Sequence, residues 1–255
     1  MNNVYSFLSD IKQIDNANTK FMCSFDIYSL YTNIPLNETI DIILTKLFDD
    51  PSSLFLGLTK SCFQKLLQIS VLNNFFIFDN KLYRQKEGLA MGLPHSPAFA
   101  NIFLCHHEQK WLDKSPVNFK PHFYRRYMDD TFLLFDNKDQ ATKFLNYLNS
   151  QHPNISFTSE YGNDFKLSFL DTQIFKTDNK FHSTVYRKNT FSGLGLSYFS
   201  FCSFRFKINA IKSLLYRAFN VCSDYFTLHN EFEFLKSYFT TVSYTHLTLP
   251  TNREV

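Results

Sequence analysis

Apolar residues recur along this chain with two periods, and the changes of period mark the elements. Residues 20–27 are strand-like. After a turn through Thr32-Asn33-Ile34-Pro35, the spacing Ile40, Ile43, Leu44, Leu47 predicts an amphipathic helix. A shorter helix is expected over 61–71, then a hairpin over 75–83 that turns at Asp79-Asn80. Two Gly and two Pro residues make 88–97 a loop, and 98–112 continue as a helix started by Ser96 or Pro97. A hairpin over 122–135 and a helix over 138–150 follow, the latter from Ala141, Phe144, Leu145 and Leu148. Strands are expected over 154–158, 167–175 and 181–187, with a turn at Thr177-Asp178-Asn179-Lys180 between the last two, and helices over 209–220 and 231–239. Residues 3–18 are polar and weakly patterned and read as a lead-in. The order describes an α+β chain, a sheet backed by helices, with no internal repeat.

The hairpin over 122–135 carries the candidate chemistry. Tyr127-Met128-Asp129-Asp130 stands at its tip between apolar runs. Two neighbouring carboxylates raise each other's pKa, and a cation removes that penalty. Hard oxygen ligands suit Mg²⁺. A third carboxylate, Asp26, ends the strand-like run Phe21-Met22-Cys23-Ser24-Phe25. If these strands are neighbours, Asp26 and Asp129 can face one another and hold two metals for an in-line phosphoryl displacement. Read singly, without the other motifs, Asp26 is better taken as a turn residue and Tyr31 as a core aromatic.

Bulk composition adds little until its distribution is read. With 255 residues the chain can bury a core as one large domain or two lobes, and a net charge of +3 does not by itself argue for nucleic acid. Between Phe181 and Phe219, however, there are six basic residues and no acidic one: Arg187, Lys188, Arg205, Lys207, Lys212 and Arg217. Interleaved with Phe and Tyr, they suit a surface that neutralises phosphates and stacks on bases. They equally suit a solvated basic face beside an aromatic core. Five scattered cysteines without a CxxC support neither a disulfide framework nor a zinc site and favour a reducing, intracellular setting. Cys105-His106-His107 falls in a helix, where adjacent residues point apart, so it is not read as a metal site. The 31 Phe residues are mostly core, and their abundance is compatible with A/T-rich codons. No secretory signal and no run of about 18–20 apolar residues is visible, so no membrane is expected.

Read in order, FDIYSLYTNIP from Phe25, GLAMGLPHSPAFANIF from Gly88 and RRYMDD from Arg125 resemble motifs A, B and C of the polymerase palm of reverse transcriptases. With SFLDTQIF from Ser168 they are most similar to the reverse transcriptases of Penelope-like retroelements, relatives of telomerase. The run from Val185 through INAIKSLLYRAFNVCS resembles that family's passage from palm to thumb, so the likeness covers roughly 20–240. It implies a polymerase palm, an antiparallel sheet backed by helices, with a mainly helical thumb. Asp26 and Asp129 would be the main ligands of two Mg²⁺ ions (Mn²⁺ also serving), with Asp130 in support. Tyr31 would exclude a ribose 2′-OH, and Met91, Gly92, Pro94 and Ser96 would line the nucleotide and template pocket. An RNA template, a DNA primer and dNTPs would be the partners, and the nucleus the setting. Asp171 is read as a turn or cap.

The implied domains are a lead-in over 1–19, a palm with residual fingers over 20–176, a connection and thumb over 177–240, and a tail over 241–255. That tail, VSYTHLTLPTNREV from Val242, changes character abruptly and reads as foreign to the native chain. About 25 residues precede motif A, so the fingers and their triphosphate-gripping cations are expected to be largely missing, as is a C-terminal nuclease. A fragment of a longer polyprotein, weak or inactive alone, is the expectation. A non-catalytic nucleic-acid-binding remnant of a retroelement is the alternative. An RNA-dependent RNA polymerase is a third reading, disfavoured by Tyr31 and the YMDD spelling.

Overall fold

The computed structural model describes residues 3–48, 54–162 and 165–244. These fall into two compact units, one made of 23–160 and the other of 1–22 with 161–255. No described helix is long and apolar enough to cross a membrane.

The first described segments are α1 (Val4–Lys12) and β1 (Phe21–Ile27), then a single turn α2 (Leu30–Asn33), α3 (Leu36–Leu47) and α4 (Lys60–Leu72). The hairpin β2 (Phe75–Phe78) and β3 (Lys81–Arg84) follows, then α5 (Ser96–Lys114), β4 (Phe123–Tyr127), β5 (Asp130–Phe135), α6 (Lys138–Asn149) and β6 (Phe157–Tyr161). The remainder is β7 (Lys166–Phe169), β8 (Thr172–Thr177), β9 (Lys180–Val185), α7 (Phe204–Val221) and α8 (Tyr225–Thr241).

In the 23–160 unit the sheet order is β4-β5-β1-β6. Thr131 through Phe135 of β5 are all buried, as a strand covered on both edges and both faces requires. Phe25 and Ile27 of β1, Ile40 of α3, Phe103 of α5 and Phe144 of α6 complete that core. The β2–β3 hairpin turns at Asp79 and Asn80 with φ of 48° and 55°, residue types that tolerate the left-handed region. Its Phe75, Phe76, Ile77, Phe78 and Leu82 are exposed.

In the other unit, β7, β8 and β9 form an antiparallel meander. Helices α7 and α8 are joined by Cys222-Ser223-Asp224, and Asp224 caps α8 by accepting from the Thr227 N–H at 2.8 Å in a reciprocal capping box. Ala218, Leu235, Phe239 and Tyr244 are buried together. Of the segment read as a foreign tail, Val242–Tyr244 therefore continue this packing, and the rest lies outside the described residues.

Three further elements differ from the pattern reading. The lead-in folds as α1, held by Phe7, Leu8 and Ile11, all buried. The strand expected over 167–175 is broken into β7 and β8 by Leu170 and Asp171, at φ of 49° and 58°. The strand expected over 154–158 starts later, at Phe157; Ile155 before it is buried and its N–H donates to the His152 carbonyl at 3.3 Å.

Candidate active site

Asp26 is exposed between buried Phe25 and Ile27, because strand alternation sends its neighbours into the core and Asp26 out of it. At this end of β1 the Ile27 N–H donates to the Asp129 carbonyl at 3.3 Å. The tip of the β4–β5 hairpin therefore lies against the end of β1, and the sequence-predicted pair is brought together. The Asp26 carboxyl is pushed above the ordinary carboxylate range, first by partial burial and then by the charge of Asp129, with Glu160 of β6 adding to it. Glu160 escaped sequence reasoning. Its signal was position alone, on a strand that proves to be the other neighbour of β1.

Among the described residues, the three aspartates are not drawn together as tightly as a preformed three-ligand cluster; the one group whose ligand atoms all lie within 4.8 Å is elsewhere. Asp130 opens β5 opposite Tyr127, while Asp129 belongs to the turn. The donors at Asp26 and Asp129 are carboxylate oxygens only, and their mutual repulsion is what a hard divalent cation relieves. The residues fit Mg²⁺ or Mn²⁺.

The tip is held from behind. Met128 has φ of 55°, a strained conformation for a residue with a side chain. The buried Arg126 donates from Nη1 to the Met128 carbonyl at 2.9 Å. It donates from Nε to Glu108 Oε1 at 2.8 Å and from Nη2 to Glu108 Oε2 at 3.1 Å and Asn101 Oδ1 at 3.3 Å. The Tyr124 hydroxyl also donates to Glu108. Burial works against the guanidinium charge, but the hydrogen bond and charge of Glu108 outweigh it and raise the Arg126 pKa. Burial and the Glu108 carboxylate keep the Tyr124 phenol protonated. Glu108, Asn101 and Arg126 are positioning residues that sequence reasoning did not assign.

The glycine loop packs on the segment after Asp26. The Leu89 N–H donates to the Tyr31 carbonyl at 2.7 Å, and a Cβ on Gly88 would meet the Thr32 carbonyl oxygen at 2.5 Å, so only glycine fits. Tyr31 and the loop are thereby neighbours. Met91, Gly92 and Pro94 are exposed on the loop. Ser96 is buried, its hydroxyl donating to the Ala90 carbonyl at 2.7 Å. That bond closes the loop on itself.

The six basic residues divide. Arg187 pairs with buried Glu231 through two hydrogen bonds, one at 2.8 Å, and its guanidinium lies 3.6 Å from the Phe234 ring centre. Arg217 donates to the Asp171 carbonyl at 2.8 Å and Lys207 to the Tyr198 carbonyl at 2.6 Å. Lys188, Arg205 and Lys212 are exposed. Arg205, Lys212, Tyr216 and Phe219 share one face of α7 by helical spacing, all exposed. A cavity of about 320 Å³ near Arg187 is lined by Tyr186, Phe234 and Tyr238 among others.

Residues 3–158 match the family model described as reverse transcriptase (RNA-dependent DNA polymerase). The chain belongs to the reverse transcriptase family. Within this reverse transcriptase chain, residues 194–247 also match the model of an animal helix-turn-helix domain, which spans α7, the three-residue turn and α8. No curated protein matches. Among solved structures, the chain is similar to telomerase from Candida albicans in complex with a fragment of telomeric RNA, at 16% identity and a TM-score of 0.63, covering 96% of this chain and 45% of that one. Apo telomerase from Candida tropicalis is similar at 15% identity and a TM-score of 0.58, covering 95% and 47%. The Sicinivirus 3Dpol RNA-dependent RNA polymerase is similar at 14% identity and a TM-score of 0.57, covering 96% and 50%. The chain thus spans about half the length of these polymerases, whose fold of helices and antiparallel sheet it shares.

Proposed function

We propose that the chain is the palm-and-thumb portion of an RNA-directed DNA polymerase from a Penelope-like retroelement, which transfers nucleotides to a primer 3′-OH with two metal ions. The observation that carries this reading is the apposition of Asp26 and Asp129, fixed by the 3.3 Å bond from the Ile27 N–H to the Asp129 carbonyl. Asp26 and Asp129 are the main ligands and Asp130 supports them. The bound Mg²⁺ ions would activate the primer hydroxyl and steady the leaving pyrophosphate. Tyr31 positions the sugar, beside a loop whose exposed Met91, Gly92 and Pro94 meet the nucleotide and template. Ser96 acts by holding that loop closed. The Penelope-like assignment rests on the four quoted motifs.

Residues 20–176 are assigned as palm with residual fingers and 177–240 as connection and thumb, with 1–19 preceding them and 241–255 following. Lys188, Arg205 and Lys212 are the direct contacts to an RNA–DNA hybrid, whereas Arg187, Lys207 and Arg217 act through the fold. As a retroelement enzyme it would work in the nucleus, on an RNA template with a DNA primer and dNTPs, alongside fingers and nuclease segments of a longer polyprotein. The 255 residues alone would have weak activity or none.

Primer extension on an RNA template with Mg²⁺ or Mn²⁺, by a longer form carrying these residues, tests the reading. Incorporation should favour dNTPs over rNTPs, Tyr31→Ala should narrow that preference, and Asp26→Asn or Asp129→Asn should abolish incorporation. A protein that binds the hybrid but extends nothing, even as the longer form with intact aspartates, would instead support the non-catalytic remnant.

A further inference from the structure

The first turn of α3, the middle of α5 and the connection after α6 bring Glu38, His107 and His152 to one point. His107 Nε2 lies 2.9 Å from Glu38 Oε1, and His152 Nε2 lies 3.2 Å from Glu38 Oε2. Within this group the ligand atoms all fall within 4.8 Å of one another. Tetrahedral zinc with bonds of about 2.05 Å keeps its ligand atoms about 3.3 Å apart. The rings are held by packing: His107 stacks on Trp111 with centroids 5.5 Å apart and meets Phe103 at 4.6 Å, and His152 meets Phe103 edge-on at 5.3 Å. The His107 and His152 side chains are only 16% and 11% exposed, whereas Glu38 is 40% exposed, so the open side of the cluster is at the carboxylate.

We propose that Glu38, His107 and His152 form a zinc site, separate from the aspartates, with water as the fourth ligand. Two imidazoles and a carboxylate favour zinc over magnesium, which prefers an all-oxygen shell and sheds water reluctantly. Of the adjacent Cys105 and His106, neither joins the cluster. The ion would tie together α3, which follows the Tyr31 segment, and α5, which the glycine loop enters.

Without metal, the Asn154 N–H donates to His152 Nδ1 at 3.2 Å, which puts the His152 ring proton on Nε2, facing Glu38. Zinc on Nε2 moves that proton to Nδ1 and releases Asn154 to solvent. His107, whose Nε2 also faces the carboxylate, makes the same exchange. Loading therefore leaves a tautomer signature at two named rings.

The test is a Zn²⁺ titration of the full chain against a chromophoric chelator, with excess Mg²⁺ present. One Zn²⁺ per chain is expected, unchanged in the Asp26→Asn/Asp129→Asn variant. His107→Gln and His152→Gln should each weaken zinc binding at least tenfold while retaining the far-UV spectrum of the parent. Zinc at a hundredfold excess over its Kd should raise the melting temperature by about 5–10 °C. Histidine ¹⁵N spectra should move His107 and His152 from Nε2–H to Nδ1–H. Zinc bound equally well by the folded His107→Gln/His152→Gln double variant, no zinc bound by the parent, or unchanged tautomers on loading would each overturn the site.

Discussion

Arg126 is the side chain whose loss should be felt most, because Glu108, Asn101 and the Met128 carbonyl all accept from its guanidinium. Arg126→Met keeps most of the stem and removes the guanidinium. Arg126 is buried and Glu108 largely shielded, their side chains being 6% and 16% exposed. Removing one partner of such a pair costs about 3–5 kcal/mol, since the remaining charge stays desolvated and unpaired. The Tyr124 hydroxyl still donates to Glu108, which places the expected cost at about 3 kcal/mol. A loss of that size lowers the melting temperature by about 6–12 °C for a chain of this length. Arg126→Met/Glu108→Gln removes the orphaned charge as well and should recover about half of it. Urea unfolding of the parent, both single variants and the double variant completes the cycle. The Met128 carbonyl also loses its 2.9 Å donor, so Mn²⁺ affinity at the aspartates should fall in Arg126→Met even at temperatures where the chain is folded. A single-variant cost under about 1 kcal/mol, or additive costs in the cycle, would refute the claim that this pair braces the hairpin tip.

Gly88→Ala should destabilise by about 2 kcal/mol or more, since its Cβ would collide with the Thr32 backbone, whereas Gly92→Ala, which meets nothing within 4 Å, should show only the smaller cost of its positive φ; calorimetry of both separates collision from strain. Asp26→Asn should stabilise the metal-free protein by about 1–3 °C at neutral pH: the raised Asp26 pKa means its stabilising contribution is complete below 3.8 and lost as pH rises through the folded value, and the gain should vanish in acid. Asp224→Ala should cost about 1 kcal/mol, and because the Thr227 N–H bond, the leading cause, lowers the Asp224 pKa below 3.8, that deficit should persist at neutral pH and fade as pH drops through the folded value. In hybrid binding, Arg205→Ala or Lys212→Ala should each lower the salt slope by about 1 without loss of stability, while Arg187→Ala should unfold the helix pair it braces instead; unchanged slopes would remove α7 from the interface.

What was legible in the sequence was local. The Asp79-Asn80 turn carries residue types that accept positive φ, and Asp26 sits in a strand whose alternation is visible. What was illegible depended on partners far along the chain. Helix α1 has only three buried apolar residues, and its assignment rests on packing such as Phe7 against Phe169, ring centres 4.9 Å apart. Leu170 at φ of 49° gives no turn signal, because its side chain ordinarily avoids that region. Arg126 drew no reading of its own within RRYMDD, since its partner Glu108 lies on a helix earlier in the chain, and His107 was set aside as a ligand until Glu38 and His152 closed around it.

The supports of the candidate centre and its carboxylates differ in one respect that bears on its chemistry. Arg126, Ser96 and Gly88 are buried and have every nearby demand met, by paired charge, by a short intraloop bond and by the absence of a Cβ. Asp26, by contrast, is exposed and repelled by Asp129, and Met128 beside it is held in a strained conformation. The frame around the site is thus satisfied, whereas the carboxylates that a cation would engage repel one another. A structure optimised for stability alone would have placed a neutral residue at position 26. The apposition of Asp26 at the end of β1 and Asp129 at the β4–β5 tip, against their own repulsion, favours a site that awaits a charge partner over a surface shaped only for packing.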